Sequence, residues 1–130
     1  MWYKIAISVI ITILTILISI NILDNKNMSI TLKNIIGLNS NQLELINKYT
    51  GGYGTPVSMV SYIYKIKNKK ELNCSVLSKF ENSEFVFDDF EKQYINMKSK
   101  YCSVSLSQKN NRLIYILIQN DIFIIKIFTD

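Results

Sequence analysis

The sequence predicts an α+β membrane protein, in which one N-terminal transmembrane helix is followed by a small domain with an antiparallel sheet and two or three short helices. Three observations point there. The run from Ile5 to Leu23 carries no charge. Segments rich in β-branched and aromatic residues recur from Val57 onward. The last third alternates and then doubles back across Asn120-Asp121, which gives a C-terminal three-stranded meander.

The apolar run is the first element. As a helix it measures roughly 28 Å, close to the thickness of the hydrocarbon core. A cleavable signal peptide has a shorter apolar region followed by small residues. Here the run ends in Asp24-Asn25-Lys26, so a retained signal-anchor is expected over residues 1–23. Only Met1 to Lys4 precede it, which favours the N-terminus inside and the domain outside. Ser8, Thr12, Thr15 and Ser19 follow one another at intervals of a helical turn and share one stripe. The stripe reads as a transmembrane interface with another helix. The alternative is that each hydroxyl bonds back to the carbonyl one turn earlier.

Residues 24–39 form a polar, Asn-rich juxtamembrane segment, and residues 40–130 the domain, with Ser40 as a possible helix N-cap. Leu43, Ile46 and Tyr49 fall at helical spacing, predicting a short amphipathic helix over Asn41–Tyr49. Gly51, Gly52, Gly54, Thr55 and Pro56 then demand a loop. Val57–Lys67 reads as a strand. Lys69–Phe80, with Leu72, Val76, Leu77 and Phe80, and Asp88–Lys98, with Phe90, Tyr94 and Met97, read as helices. Asp88-Asp89 suits the N-terminal turn of the second. Tyr101–Ser107, Leu113–Gln119 and Ile122–Phe128 are the meander strands, joined by turns at Lys109-Asn110-Asn111 and Asn120-Asp121. The last two strands are apolar on both faces. Both faces therefore require cover, either from the helices and the Asp24–Leu38 stretch or from a partner protein.

Composition narrows the chemistry. The chain has no histidine, hence no ordinary general base or imidazole ligand. Two cysteines without histidine do not make a structural zinc site. Gly51-Gly52-Tyr53-Gly54 lacks the lysine and strand–helix setting of a phosphate loop. No catalytic residue, metal, cofactor or small-molecule substrate is expected. Beyond the anchor, fourteen basic residues stand against ten acidic ones, a formal charge of +4. The basic residues are spread out and almost all lysine, with Arg112 the only arginine, which argues against nucleic-acid binding. Cys74 and Cys102 lie on one side of the anchor, in a compartment read as oxidising or a virion surface. A disulfide between them would contribute about 3 to 4 kcal/mol by loop closure. Two separately buried thiols are the alternative.

The layout resembles the short, N-terminally anchored envelope subunit family of the poxvirus entry–fusion complex. The similarity rests on the early anchor, the helix-like stretch running into Gly51-Gly52 and Thr55-Pro56, Cys74 some two dozen residues later, and Cys102 before an Ile-rich strand. The chain departs from that pattern in the Tyr53-Gly54 insertion, a shorter interval between cysteines and the lack of a second C-terminal disulfide. The resemblance implies a non-catalytic virion envelope protein, working with other small membrane proteins in a multi-subunit complex needed for membrane fusion during virus entry. A different class also fits: an extracytoplasmic sensor or accessory subunit of a low-GC bacterial envelope complex.

Overall fold

The computed structural model describes residues 1–37, 40–51, 58–108 and 112–129. They form two compact units, Met1–Ser40 and Asn41–Asp130. The first is the helix α1, Trp2–Ile36. Its apolar part, Trp2–Ser19, is long and apolar enough to cross a membrane, and none of that stretch is buried. The helix continues through Asp24 to Ile36, where the sequence had suggested a separate polar segment. Asn, Ser and Lys are only mildly unfavourable in a helix, and propagation from an established helix avoids the cost of nucleation. The stop comes at Gly37, whose φ of 77° is costly for residues with a Cβ and whose N–H donates to the Lys33 carbonyl at 3.0 Å.

The second unit is a five-stranded antiparallel sheet: β1 Leu43–Gly51, β2 Ser58–Ile66, β3 Cys102–Gln108, β4 Arg112–Gln119 and β5 Ile122–Thr129. The spatial order is β1-β2-β5-β4-β3, so the C-terminal meander joins the β1–β2 hairpin through the β2–β5 pair. The predicted strands are all present, and Asn120 turns β4 into β5 with φ 52°. The loop motif beyond Gly51 and the Lys109-Asn110-Asn111 turn lie outside the described residues.

The segment read as a helix over Asn41–Tyr49 is instead a 3-10 turn, Ser40–Gln42, followed by β1. Two facts hid the strand. A register shift between Leu45 and Asn47 breaks the two-residue alternation, leaving the three-residue spacing of Leu43, Ile46 and Tyr49 as the visible period. An isolated helix of that length is also marginal, whereas the ladder to β2 supplies backbone partners along most of the segment. The other two expected helices shrink to single turns. Over Lys69–Phe80 only Cys74–Leu77 is a 3-10 turn, capped by Asn73, whose Oδ1 accepts the Ser75 N–H at 2.9 Å. Over Asp88–Lys98 only α2, Asp89–Lys92, is helical. Leu72 and Leu77 are nonetheless buried, whereas Met97 of the second expected helical face is exposed and Ile95, outside the predicted spacing, is buried in its stead, so apolar spacing located only part of the inward-facing set.

Register and alternation assign the two faces of the sheet. One carries Ser61, Ile63, Ile124, Lys126, Tyr115 and Leu117, with Ile63 opposite Ile124 and Ile124 opposite Leu117. Phe85 and Ile95 from the β2–β3 connection pack on that row, with Phe87, Phe90 and Tyr94 around them. The other carries Tyr62, Tyr64, Phe123, Ile125, Ile114, Ile116, Ile118 and Val104, all buried. The connection lies against this second face at Cys74–Leu77, where the disulfide to Cys102 holds it. It then pairs with β3 through Asn82 and Val104 and reaches the first face from Phe85 onward.

Candidate functional site

The cysteines predicted to pair do so. Cys74 and Cys102 are bonded, with Cα atoms 5.9 Å apart and a sequence separation of 28. The bond joins the 3-10 turn to the first residue of β3. Of the loop motif, Gly51 ends β1 and is buried; a Cβ there would meet Met59 Cε at 3.1 Å and the Tyr49 ring at 3.2 Å. Gly52, Gly54, Thr55 and Pro56 are outside the described residues.

The anchor hydroxyls run along exposed helix. Thr12 Oγ1 donates to the Ser8 carbonyl at 2.9 Å, Thr15 Oγ1 to Ile11 at 2.8 Å and Ser19 Oγ to Thr15 at 2.8 Å. In Thr12, Thr15 and Ser19 back-bonding uses the hydroxyl's single proton and leaves its lone pairs as acceptors. A neighbouring helix would therefore meet small acceptor-bearing side chains, and close packing would contribute more than hydrogen bonds.

A second constellation went unread in the sequence. Lys126, in the middle of β5, is fully buried. Its ammonium lies 2.7 Å from Glu91 Oε1, donates to Asp88 Oδ2 at 2.7 Å and donates to the Val86 carbonyl at 2.9 Å. Glu91 is also fully buried. It accepts the Ser61 hydroxyl at 3.2 Å and, through Oε2, the Asp88 backbone N–H at 3.0 Å, which closes a capping box on α2. Phe85 and Phe128 place ring faces 5.8 and 5.6 Å from the ammonium. Three donor bonds fill the capacity of an ammonium. Asp88 is the cluster's link to water, its side chain 46% exposed. A signal was available: Lys126 interrupts Ile122–Phe128, and a lone charge in a strand apolar on both faces must be buried with a partner.

Chemically the cluster is closed. Every donor of Lys126 is engaged, and among the described residues no buried side-chain nitrogen or oxygen lacks a partner. Gln119, also buried, acts similarly at the other end of the same face. Its Oε1 accepts the Asn96 N–H at 2.8 Å, while Nε2 donates to the carbonyls of Asn96 at 2.8 Å and Ser99 at 3.2 Å. On the opposite face, burial and then neighbouring Tyr62 push the Tyr64 hydroxyl pKa well above the ordinary tyrosine range.

No family model, curated protein or solved structure matches the chain.

Proposed function

We propose that the chain is a non-catalytic, single-pass envelope protein, with its N-terminus inside and its domain outside, serving as a subunit of a viral entry and membrane-fusion complex. The observation that carries the reading is the union, in one small chain, of an exposed membrane-length apolar helix with a disulfide-stapled sheet domain. Disulfides persist on the oxidising side of a membrane, which is where a domain that meets other envelope proteins stands. The charged side chains buried in the domain are consumed by one another, in keeping with a role in binding rather than turnover.

The test is non-reducing mass spectrometry of the protein extracted from its native membrane, with alkylation before reduction and identification of co-purifying proteins. The expected outcome is an intact Cys74–Cys102 linkage together with other small viral membrane proteins in fixed ratio. Recovery with bacterial envelope proteins, or recovery alone, overturns the assignment.

A further inference from the structure

The β2–β3 connection has an unusual manner of attachment. Midway along it, residues 81–83 pair with β3. Ser83 N–H donates to the Ser103 carbonyl at 3.2 Å, the Ser103 hydroxyl donates to the Ser83 carbonyl, and Ser105 N–H donates to Glu81. The segment Glu84–Tyr101 between these points leaves the edge of the sheet, crosses the first face and returns. It is an Ω-type loop with a closed neck, and the neck sits beside the disulfide at Cys102.

The body of the loop has no ladder to the sheet. Among the described residues its backbone–backbone bonds are local: Lys92 to Asp88, Tyr94 to Glu91 and Ser99 to Asn96. The polar links to the strands run through side chains: Lys126 and Ser61 to the Val86–Glu91 end, Gln119 to Asn96 and Ser99, and Asn47 Nδ2 to the Tyr94 hydroxyl at 2.9 Å. Phe85 and Ile95 supply the apolar contact. The strands beneath are, by contrast, bonded to each other along their whole lengths.

We propose that Glu84–Tyr101 is a flap that lifts as a unit from the intact sheet, with the Lys126–Glu91–Asp88 cluster as its clasp and the Ser83–Ser103 neck, braced by the disulfide, as its fixed hinge. A side-chain clasp can release without breaking a ladder, whereas each strand is secured on both sides or by its hairpin. Lifting uncovers Ile63, Leu117 and Ile124, which are fully buried in the closed form. The domain thus holds an apolar strip in reserve behind an ionic fastening. This inference stands on the domain's own geometry and is independent of the viral assignment.

The test is native-state hydrogen exchange of the full chain in lipid nanodiscs across a series of low urea concentrations. In wild type, the amides of Lys92, Tyr94, Asn96 and Ser99 should exchange through an opening with a shallow urea dependence, while central β2 and β5 amides follow the steep dependence of global unfolding. Glu91→Gln removes one charge from the clasp and keeps its shape. It should speed exchange at those four amides about 10- to 100-fold and at the β2 and β5 amides by the same factor, since global unfolding also breaks the clasp, with the shallow and steep urea dependences kept apart. Ile125→Val, fully buried on the face away from the flap, should speed the β2 and β5 amides about 2- to 10-fold and leave the flap amides unchanged. Flap and sheet amides sharing one urea dependence in wild type would overturn the proposal even if the variant did not fold. Acceleration of the flap amides by Ile125→Val in step with the sheet amides would overturn it as well.

Discussion

Lys126 shows how one residue in an apolar strand acquires a whole set of partners. Charge removed from water requires an opposite charge and filled hydrogen-bonding capacity, and the structure supplies both through Glu91, Asp88 and the Val86 carbonyl. Such pairs contribute little net stability compared with apolar packing, yet breaking one from a single side is costly. Lys126→Met should destabilise the domain by about 3–5 kcal/mol, because Glu91 is left charged and buried. Lys126→Met combined with Glu91→Gln should recover most of that loss, and urea midpoints of the four species form the cycle that checks it. If the double variant is as unstable as the sum of the singles, the pair is not coupled. Tyr64 sets a pH limit of a different kind. Its hydroxyl pKa is raised in the folded state, so its contribution is full below the ordinary tyrosine value near about 10 and falls as pH rises beyond it, since the unfolded chain releases that proton first. Stability measured from pH 9 to 11 should decline, and Tyr64→Phe should flatten the decline.

At the scale of elements, β1 and the disulfide each answer a problem posed by the strand order. β1 is a sheet edge, and exposed edges invite pairing with other chains. Here the edge carries the register shift at Ile46, the charged residues Glu44 and Lys48, and a Lys48 N–H already donated to Asn47 Oδ1 at 2.9 Å. All three discourage a further strand. At β3 the opposite edge is occupied by residues 81–83 of the connection, and the Cys74–Cys102 bond ties the preceding turn to the same strand. Replacing both cysteines by serine should lower unfolding stability by about 3 to 4 kcal/mol, as expected for releasing a loop of this length. A thermal melt under oxidising conditions checks this. A loss below about 1 kcal/mol would show that the connection is held chiefly by the packing of Leu72 and Leu77.

At the scale of the whole molecule, the chain combines a helix that exposes its apolar surface with a sheet domain that buries its own. Trp2–Ser19 has no cover in the structure, and a lipid bilayer is the environment in which that surface costs nothing. A stripe of small hydroxyl residues is a face on which membrane helices in general can approach one another closely. Exchanging Ser8, Thr12, Thr15 and Ser19 together for leucine should release co-purifying membrane proteins from a detergent-solubilised complex, with the circular dichroism and disulfide of the domain unchanged. Undiminished recovery would show that assembly runs through the domain alone.

Features that depend on one stretch of chain were legible in the sequence. They include the apolar span, β2 and the three meander strands, the Asn120-Asp121 turn and the inward residues Leu72 and Leu77, because burial and period-two alternation leave a local imprint. The Cys74–Cys102 pairing was also open to expectation, since only two cysteines are present. Tertiary structure decided what depends on partners distant in sequence. β1 is a strand because β2 offers a ladder that outweighs a short helical period, and the helix expected over Asp88–Lys98 ends after a turn where Gln119 takes the N–H and carbonyl of Asn96. The cluster of Lys126, Glu91, Asp88 and Ser61 draws on β5, the connection and β2. The sequence marked Lys126 as a charge in need of a partner, but a buried charge is matched through space, and only the fold could bring Glu91 to it.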